Sequence, residues 1–329
     1  MKPVITRRDF GTLAVGALGA VAAPAGFAQS GTFPAKPIKI IAPFAPGGGT
    51  DYIARVVATK LGERLKQPVI VENRPGAGGN LGTELALKSP PDGYTLLLVA
   101  GSYTVNPSVY KLNFDPIADM TPVIQLSRGA YVLVVNAALP VKSLAELLDL
   151  MRKEPGKIAY GSSGQGGHLH IVTEYMLDLA KAKATHVPYK GTGPAVTDLI
   201  AGNVQMMFAG TEAVMQHVKA GKLRALAVGT AKRLAAFPDI PSVAEAGVPG
   251  YDVVAWHGLI APKGVPAPIV EALNREINAT LATKEMEDRL AINGVGTAGG
   301  SPAQFGSLLQ AEVERYGKVI RQAGIKADQ

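Results

Sequence analysis

The chain has 329 residues, with 33 Lys and Arg against 26 Asp and Glu, a formal charge of +7 and no cysteine. At roughly 100–200 residues per domain, that length predicts two domains and a core that needs no disulfide or structural metal. The lack of Cys excludes a cysteine nucleophile, an iron–sulfur cluster and a zinc ribbon, but leaves the compartment open, because an exported protein of this size needs no bridges. Apolar residues at 47%, charged residues at 18%, 38 Gly and 24 Pro describe a packed protein rich in tight turns. One Trp and 6% aromatics argue against a base-stacking nucleic-acid surface.

The N-terminus reads as an export signal over residues 1–28. Lys2, Arg7 and Arg8 precede an apolar Ala/Gly-rich run from Leu13 to Ala23. Gly26-Phe27-Ala28 is a small-x-small site, which predicts cleavage after Ala28. The run is shorter than the ~20 residues of a membrane helix. Thr6-Arg7-Arg8-Asp9-Phe10 resembles a twin-arginine signal, although Gly11 stands where Leu is usual. Twin-arginine export is preferred here over the Sec route. Loss of Lys2, Arg7, Arg8 and Asp9 takes net +2 from the +7 and leaves +5, with the remaining Lys and Arg scattered. That bias suits a small anion better than a nucleic acid.

After the leader, strand and helix signals alternate. Ile38–Ala42 reads as a strand, followed by Gly47–Gly49, a Thr50-Asp51 N-cap and an amphipathic helix to about Leu65. Val69–Val71 is the next strand, then a turn through Gly76, Gly78 and Gly79 and a helix over 82–88. Strands are predicted over 95–100, 131–135 and 158–160, near 185–187, 204–208 and 224–228, and a long helix from about His168. Ser143-Leu144-Ala145-Glu146 and Ser242-Val243-Ala244-Glu245 are capping boxes, in which the hydroxyl and the Glu side chain satisfy free amides reciprocally, and Ser301-Pro302-Ala303-Gln304 caps a final helix. Gly324 is expected to close the last helix. The alternation predicts an α/β protein of parallel sheets flanked by helices.

Motifs that carry catalysis are missing. There is no P-loop and no H-E-x-x-H. In Gly161-Ser162-Ser163-Gly164-Gln165, Gln165 stands where a nucleophile elbow needs Gly. Gly294, Gly296 and Gly299 spell a dinucleotide fingerprint, but they follow a helix signal and run into Ser301-Pro302, so the match is chance. His168 and His170, two apart, point to different sides of a helix and predict no metal pair; no metal and no cofactor is expected. His168 reads equally as a hydrogen-bonding residue at a helix entry and as a ligand contact.

One device recurs: strand, glycine turn, helix N-terminus. It occurs at Pro43–Asp51, at Gly161–His168 and at Lys190-Gly191-Thr192-Gly193-Pro194. A helix start carries unpaired N–H groups and about half a positive charge, and glycine lets an anion approach them. Hydrogen bonds to a charged group contribute about 1.5–3 kcal/mol each, so three or four approach the ~8 kcal/mol of micromolar binding before ordering costs. The same turns are also ordinary in any α/β protein.

Longer motifs extend this reading. Phe33-Pro34-Ala35-Lys36-Pro37-Ile38 with Pro43-Phe44-Ala45-Pro46-Gly47-Gly48-Gly49-Thr50-Asp51 resembles the opening of the Bug-type substrate-binding receptors of tripartite tricarboxylate transporters. Val71–Asn80, Pro91–Leu96, Tyr160–Gly166 with His168-Leu169, Pro188–Gly191, Pro241–Gly247 and Asp252–Gly258 around Trp256 are similar to that family's later signatures, in its order.

The resemblance implies a two-lobe periplasmic binding protein fold, type II-like, in which each lobe is a mostly parallel sheet flanked by helices. Lobe 1 is expected to be discontinuous, residues 29–135 plus 256–329, and lobe 2 to be 136–255. It implies a small carboxylate as ligand, large and small integral membrane subunits as partners, a periplasmic location, a monomer and no enzymatic activity. The site residues it implies are Phe44, Gly48, Gly49, Thr50 and Asp51 from one lobe, and Ser162, Ser163, Gln165, Gly166 and His168 from the other, with Thr192, Ala209 and Gly210 nearby. Asp51 is expected to fix its loop, since a free carboxylate repels an anion. Several family members carry Asp where Ala209 stands, which leaves the far end of the ligand open. Arg74 reads as a rim charge or as a structural residue of its loop. A ligand sensor without transport is the alternative function. An enzyme built on Ser163 and His168 lacks an evident acid to orient the His.

Overall fold

The computed structural model describes residues 33–323. The export signal, its cleavage site, the twin-arginine motif and the expected stop at Gly324 lie outside the described residues. Strand β1 (Ile38–Ala42) buries every side chain except Lys39 and runs into helix α1 (Gly49–Leu65). Next come β2 (Val69–Asn73), α2 (Asn80–Leu87), β3 (Thr95–Ala100) and the short α3 (Gly101–Val105). The long β4 (Met120–Asn136) leads through α4 (Leu144–Lys153), β5 (Ala159–Ser162), α5 (His168–Leu179), β6 (Thr185–Pro188) and α6 (Thr192–Ala201). β7 (Met206–Gly210), α7 (Thr211–Lys219), β8 (Leu223–Val228) and β9 (Val254–Pro262) follow. The chain then forms α8 (Ala267–Leu281), α9 (Lys284–Ala291), β10 (Gly296–Gly299) and α10 (Pro302–Ala323).

The strand order is β2-β1-β3-β9-β4-β7-β5-β6, with β8 and β10 also paired to β4. The parallel pairs expected from the alternation form the outer parts: β1 with β2 and β3, and β5 with β6 and β7. Antiparallel pairs fill the middle. From Met120 to Ala130, β4 pairs with β9; from Tyr131 to Asn136 it pairs with β7 and β8. This change of partner falls earlier in the chain than the lobe boundary expected at 135.

Past the change, β4 is buried on both faces. Tyr131, Leu133 and Val135 face one apolar cluster with α4 and α5, while Val132 and Val134 face another with α6 and α7. A third cluster joins β1, β3, α1 and α8 around Ile40, Ile53, Leu98 and Leu273. Period-two alternation with both faces covered is the pattern of a central strand. The sequence signal at Tyr131–Val135 therefore captured only the end of β4. Its first part contains Pro122 and Gly129 and two register shifts, at Pro122/Ile124 and Gln125/Ser127, which break the pattern. β9, absent from the sequence expectations, bridges β3 and β4.

Two of the Ser-x-x-Glu/Gln motifs close reciprocally, at Ser242 and Ser301, while at Ser143 the Glu146 carboxylate accepts from Lys142 N–H (2.6 Å) instead of the cap residue. Glu146 N–H donates to Ser143 Oγ (3.2 Å), and Gln304 N–H to Ser301 Oγ (3.2 Å). Ser242 and Glu245 exchange both bonds, 2.8 and 3.1 Å, around a turn rather than a helix. No helix among the described residues is long and apolar enough to cross a membrane.

Candidate functional site

Five helices begin at one place. A cavity of about 40 Å³ is lined by residues at the starts of α1 (Gly49, Thr50), α3 (Gly101, Ser102), α5 (His168, Leu169), α6 (Thr192) and α7 (Glu212). Phe44, Ala100, Tyr131, Ser163, Gly210 and His257 complete the wall. Elsewhere α4, α9 and α10 start on Ser143, Thr283 and Ser301, whose hydroxyls accept from the first turn. The five helices at the cavity start after Gly48, Ala100, Gly167, Gly191 and Gly210, none of which bonds the first turn through its own side chain. α2 and α8 also start without a side-chain cap, and at the cavity His168 N–H, the first amide of α5, is taken by Ser102 Oγ. Converging N-termini sum their partial positive charges at the cavity, so it favours an anionic group although no Lys or Arg lines it.

Glycine is required where the walls meet. A Cβ on Gly193 would lie 2.2 Å from Pro46 O, and one on Gly191 3.0 Å from Ala45 N. Ala45 N–H donates to Lys190 O at 3.0 Å, His168 N–H to Ser102 Oγ at 3.1 Å, and the Tyr110 hydroxyl to Gln165 O. Loops following β1 and β3 thus touch loops following β5 and β6 directly. A second cavity of about 230 Å³ shares Phe44 and Ser163 with the first and is lined further by Gly76–Gly79, Tyr110, Gly164, Gln165 and Pro188–Lys190.

Of the residues implied by the sequence, Phe44, Gly49, Thr50, Ser163, His168, Thr192 and Gly210 line the inner cavity, and Gln165 lines the outer one. Others stand behind these walls. Gly48 is the N-cap of α1, so the helix begins before the expected Thr50-Asp51 cap: glycine backbone, not a capping side chain, starts it. A Cβ on Gly48 would meet Thr192 Cβ at 3.0 Å. Ser162 is fully buried, its Oγ 2.7 Å from His186 Nε2, and Gly166 N–H donates to His170 Nδ1 at 3.0 Å. Ala209 is buried inside β7 opposite Val132.

Asp51 accepts from Gly47 N–H (3.2 Å), Asn73 Nδ2 (2.9 Å) and Arg55 Nε (3.0 Å), and so ties the first loop to β2. Burial works against its charge, but bonds from Arg55, Asn73 and Gly47 outweigh it and hold the carboxyl below the usual range. Arg74 is ion-paired with Glu72 in its own segment.

The sequence reading missed Gly101, Ser102, Tyr131, Glu212 and His257. Tyr131 and His257 come from β4 and β9, which the fold draws beneath the loops. His168 Nδ1 lies 3.0 Å from the Tyr131 hydroxyl, and the ring stands edge-on to Tyr316 with centroids 4.8 Å apart. Burial, helped by the charge of Arg315, pushes His168 down to about 3, so the ring is neutral at pH 7. Burial likewise lowers His257, 3.1 Å from Ser127 Oγ, to about 4. Glu212 moves the other way: burial raises it to about 7, opposed only by its own backbone N–H. Its Oε2, Thr211 Oγ1 and His168 Nε2 are buried without hydrogen-bond partners.

The model of the family described as "Tripartite tricarboxylate transporter family receptor", TctC, matches residues 53–325. The chain belongs to that family. BugT of Bordetella pertussis is 38% identical over 317 residues, 94% of this chain and 95% of BugT. A Pseudomonas sp. strain P51 protein from the tcbD–tcbE intergenic region is 38% identical over 299 residues, 90% of this chain and 89% of that one. Among solved structures, a Rhodopseudomonas palustris protein with adipate superposes with a TM-score of 0.87 at 36% identity, covering 89% of this chain and 99% of that one. MatC of the same organism, with bound malate, gives 0.84 at 31% identity, covering 88% and 100%. The periplasmic binding protein BugD gives 0.87 at 31%, covering 89% and 99%. This TctC-family chain therefore has the two-lobe periplasmic binding protein fold.

Proposed function

We propose that the protein is a periplasmic receptor that captures a small organic carboxylate between its lobes and delivers it to an integral membrane transporter with large and small subunits. The observation that carries the reading is the meeting of five helix N-termini, none capped by the side chain of its own cap residue, at one cavity that no Lys or Arg lines. The family match and the adipate and malate held by two related structures support it. Phe44, Gly49, Thr50, Ser163, His168, Thr192 and Gly210 form the contact surface in this proposal. Gly48, Asp51, Ser162, Gly166 and Ala209 support it from behind, and Gln165 stands at the mouth. The lobes divide where β4 changes partners, at Ala130/Tyr131, and where β9 begins at Val254, so both crossings are parts of one antiparallel pair.

Export runs through the twin-arginine route, and the receptor acts as a monomer without turning its ligand over. Two features favour binding over catalysis. His168 Nδ1 faces Tyr131 rather than a carboxylate that would orient it as a base. BugD is a periplasmic binding protein, and two other solved relatives hold adipate and malate.

Calorimetry of the purified protein against mono-, di- and tricarboxylates tests the reading. Micromolar or tighter binding of at least one acid is expected. Failure of folded protein to bind any acid in the panel contradicts it.

A further inference from the structure

The inner cavity is not uniformly suited to anions. Glu212 reaches into it from the first turn of α7, and its carboxyl packs against the start of α1: a Cβ on Gly49 would lie 1.7 Å from Glu212 Oε1, and one on Gly210 2.0 Å. Oε2 of the same carboxyl is buried with no hydrogen-bond partner, as is Oγ1 of the adjacent Thr211. No Lys or Arg lines the cavity to neutralise Glu212. The nearest polar side chains do not serve as donors to it. The Tyr131 hydroxyl is engaged with His168 Nδ1 at 3.0 Å. The other ring nitrogen of His168, Nε2, is buried and unpartnered. Beside the helix N-termini the wall therefore offers a carboxyl oxygen that lacks a donor and an imidazole nitrogen that lacks a partner.

We infer that Glu212 is a specificity-determining residue of the cleft, selecting an organic acid that also carries a nitrogen donor, an ammonium or an amide, over a dicarboxylate of the same length. This rests on the carboxylate-receptor reading above. The ligand's carboxylate takes the helix N-termini and its N–H group takes Glu212 Oε2. A second carboxylate placed there would meet a like charge in a site shielded from water, where screening is weakest. An ammonium instead supplies the charge-assisted bond that Oε2 lacks. The same pairing favours the ionised form of Glu212, which burial otherwise disfavours.

The test is calorimetry at pH 8 on the mature chain with matched probes: succinate against succinamate and 4-aminobutanoate, adipate against 6-aminohexanoate, and malate against aspartate. In at least one pair the nitrogen-bearing acid is expected to bind the unaltered protein about tenfold or more tightly than its dicarboxylate. In Glu212→Gln that preference is expected to shrink about tenfold, with the dicarboxylate binding more tightly than it does to the parent. A thermal melt confirms that the variant is folded, and the preference in the unaltered protein needs no variant at all. Dicarboxylates bound best by the unaltered protein, or a preference that Glu212→Gln leaves unchanged, overturn the role of Glu212 while sparing the receptor reading. No binding of any probe overturns both.

Discussion

Gly49 and Glu212 touch across the cleft, and neither tolerates a larger neighbour: the Cβ that Gly49 lacks would sit 1.7 Å from Glu212 Oε1. One belongs to the first turn of α1 and the other to the first turn of α7, so the contact joins two helix N-termini that are 163 positions apart by residue number. Gly49→Ala is expected to displace the Glu212 carboxyl into the cavity and to weaken acid binding at least tenfold, about 1.4 kcal/mol. Stability should change little, because the displaced group is the end of a flexible side chain. In a Glu212→Ala background the same substitution should cost much less. Calorimetry on the four proteins of this cycle measures the coupling. Independent, additive effects would show that the two residues do not interact.

Glu212 also predicts a pH-dependent stability with a definite sign. Its folded value of about 7 lies above the ~4.3 of an unfolded glutamate. The native state therefore binds the extra proton between those values, and the group's contribution is present at low pH and lost as pH rises through 7. Glu212→Gln should be more stable than the parent at pH 8, by about 4 kcal/mol at most, and the gap should close toward pH 4. Urea melts at the two pH values check this. A gap that is constant with pH would place the carboxyl in water.

The buried histidines act in the opposite sense. Burial holds His168 and His186 at about 3 and His257 at about 4, with Arg315 adding to the effect at His168 and His170 at His186. Unfolded histidine takes its proton near 6.5. Below that pH the unfolded chain binds more protons, so stability falls as pH drops from about 6.5 toward 4. His186 stacks on His170, with centroids 3.8 Å apart and planes 7° from parallel, and supports Ser162 behind the second loop. His186→Gln should make the fall between pH 6.5 and 4.5 shallower, so that variant and parent converge as the solution is acidified. Parallel pH profiles in urea melts would contradict this.

Side-chain caps away from the cleft provide a contrast. Ser143→Ala removes the acceptor for Glu146 N–H and should cost about 0.5–2 kcal/mol of stability while leaving acid affinity unchanged. A melt paired with one titration separates the two effects. A loss of affinity would mean that α4 is coupled to the site.

The sequence disclosed local structure well because its signals are local. The β1–glycine turn–α1 unit, the Ser-x-x-Glu boxes and the glycine loop before His168 are each set by residues within one turn of each other. What it hid depends on distant pairing. Glu212 looks like an ordinary acidic residue in a helix first turn, favoured there by the dipole, and only the packing of its carboxyl against Gly49 at the start of α1 takes Oε2 out of water. Tyr131 and His257 lie on strands buried on both faces, where alternation cannot say which side chain faces a cavity. Side-chain preference points to Thr50-Asp51 as the N-cap of α1, whereas the helix starts after Gly48 and Asp51 Oδ2 accepts from Gly47 N–H. The glycine fingerprint at Gly294, Gly296 and Gly299 spans the turn after α9 and the strand β10, so a helix precedes it where the dinucleotide motif needs a strand.

The central claim is that uncharged main-chain donors at converging helix starts hold the ligand's carboxylate. A crystal structure with the tightest acid from the calorimetric panel tests it most directly. The account predicts carboxylate oxygens within hydrogen-bond distance of backbone N–H groups at the starts of α1 and of α5, α6 or α7, beside Phe44 and Ser163. An acid seated in another cavity, or gripped mainly by lysine or arginine side chains, would contradict it.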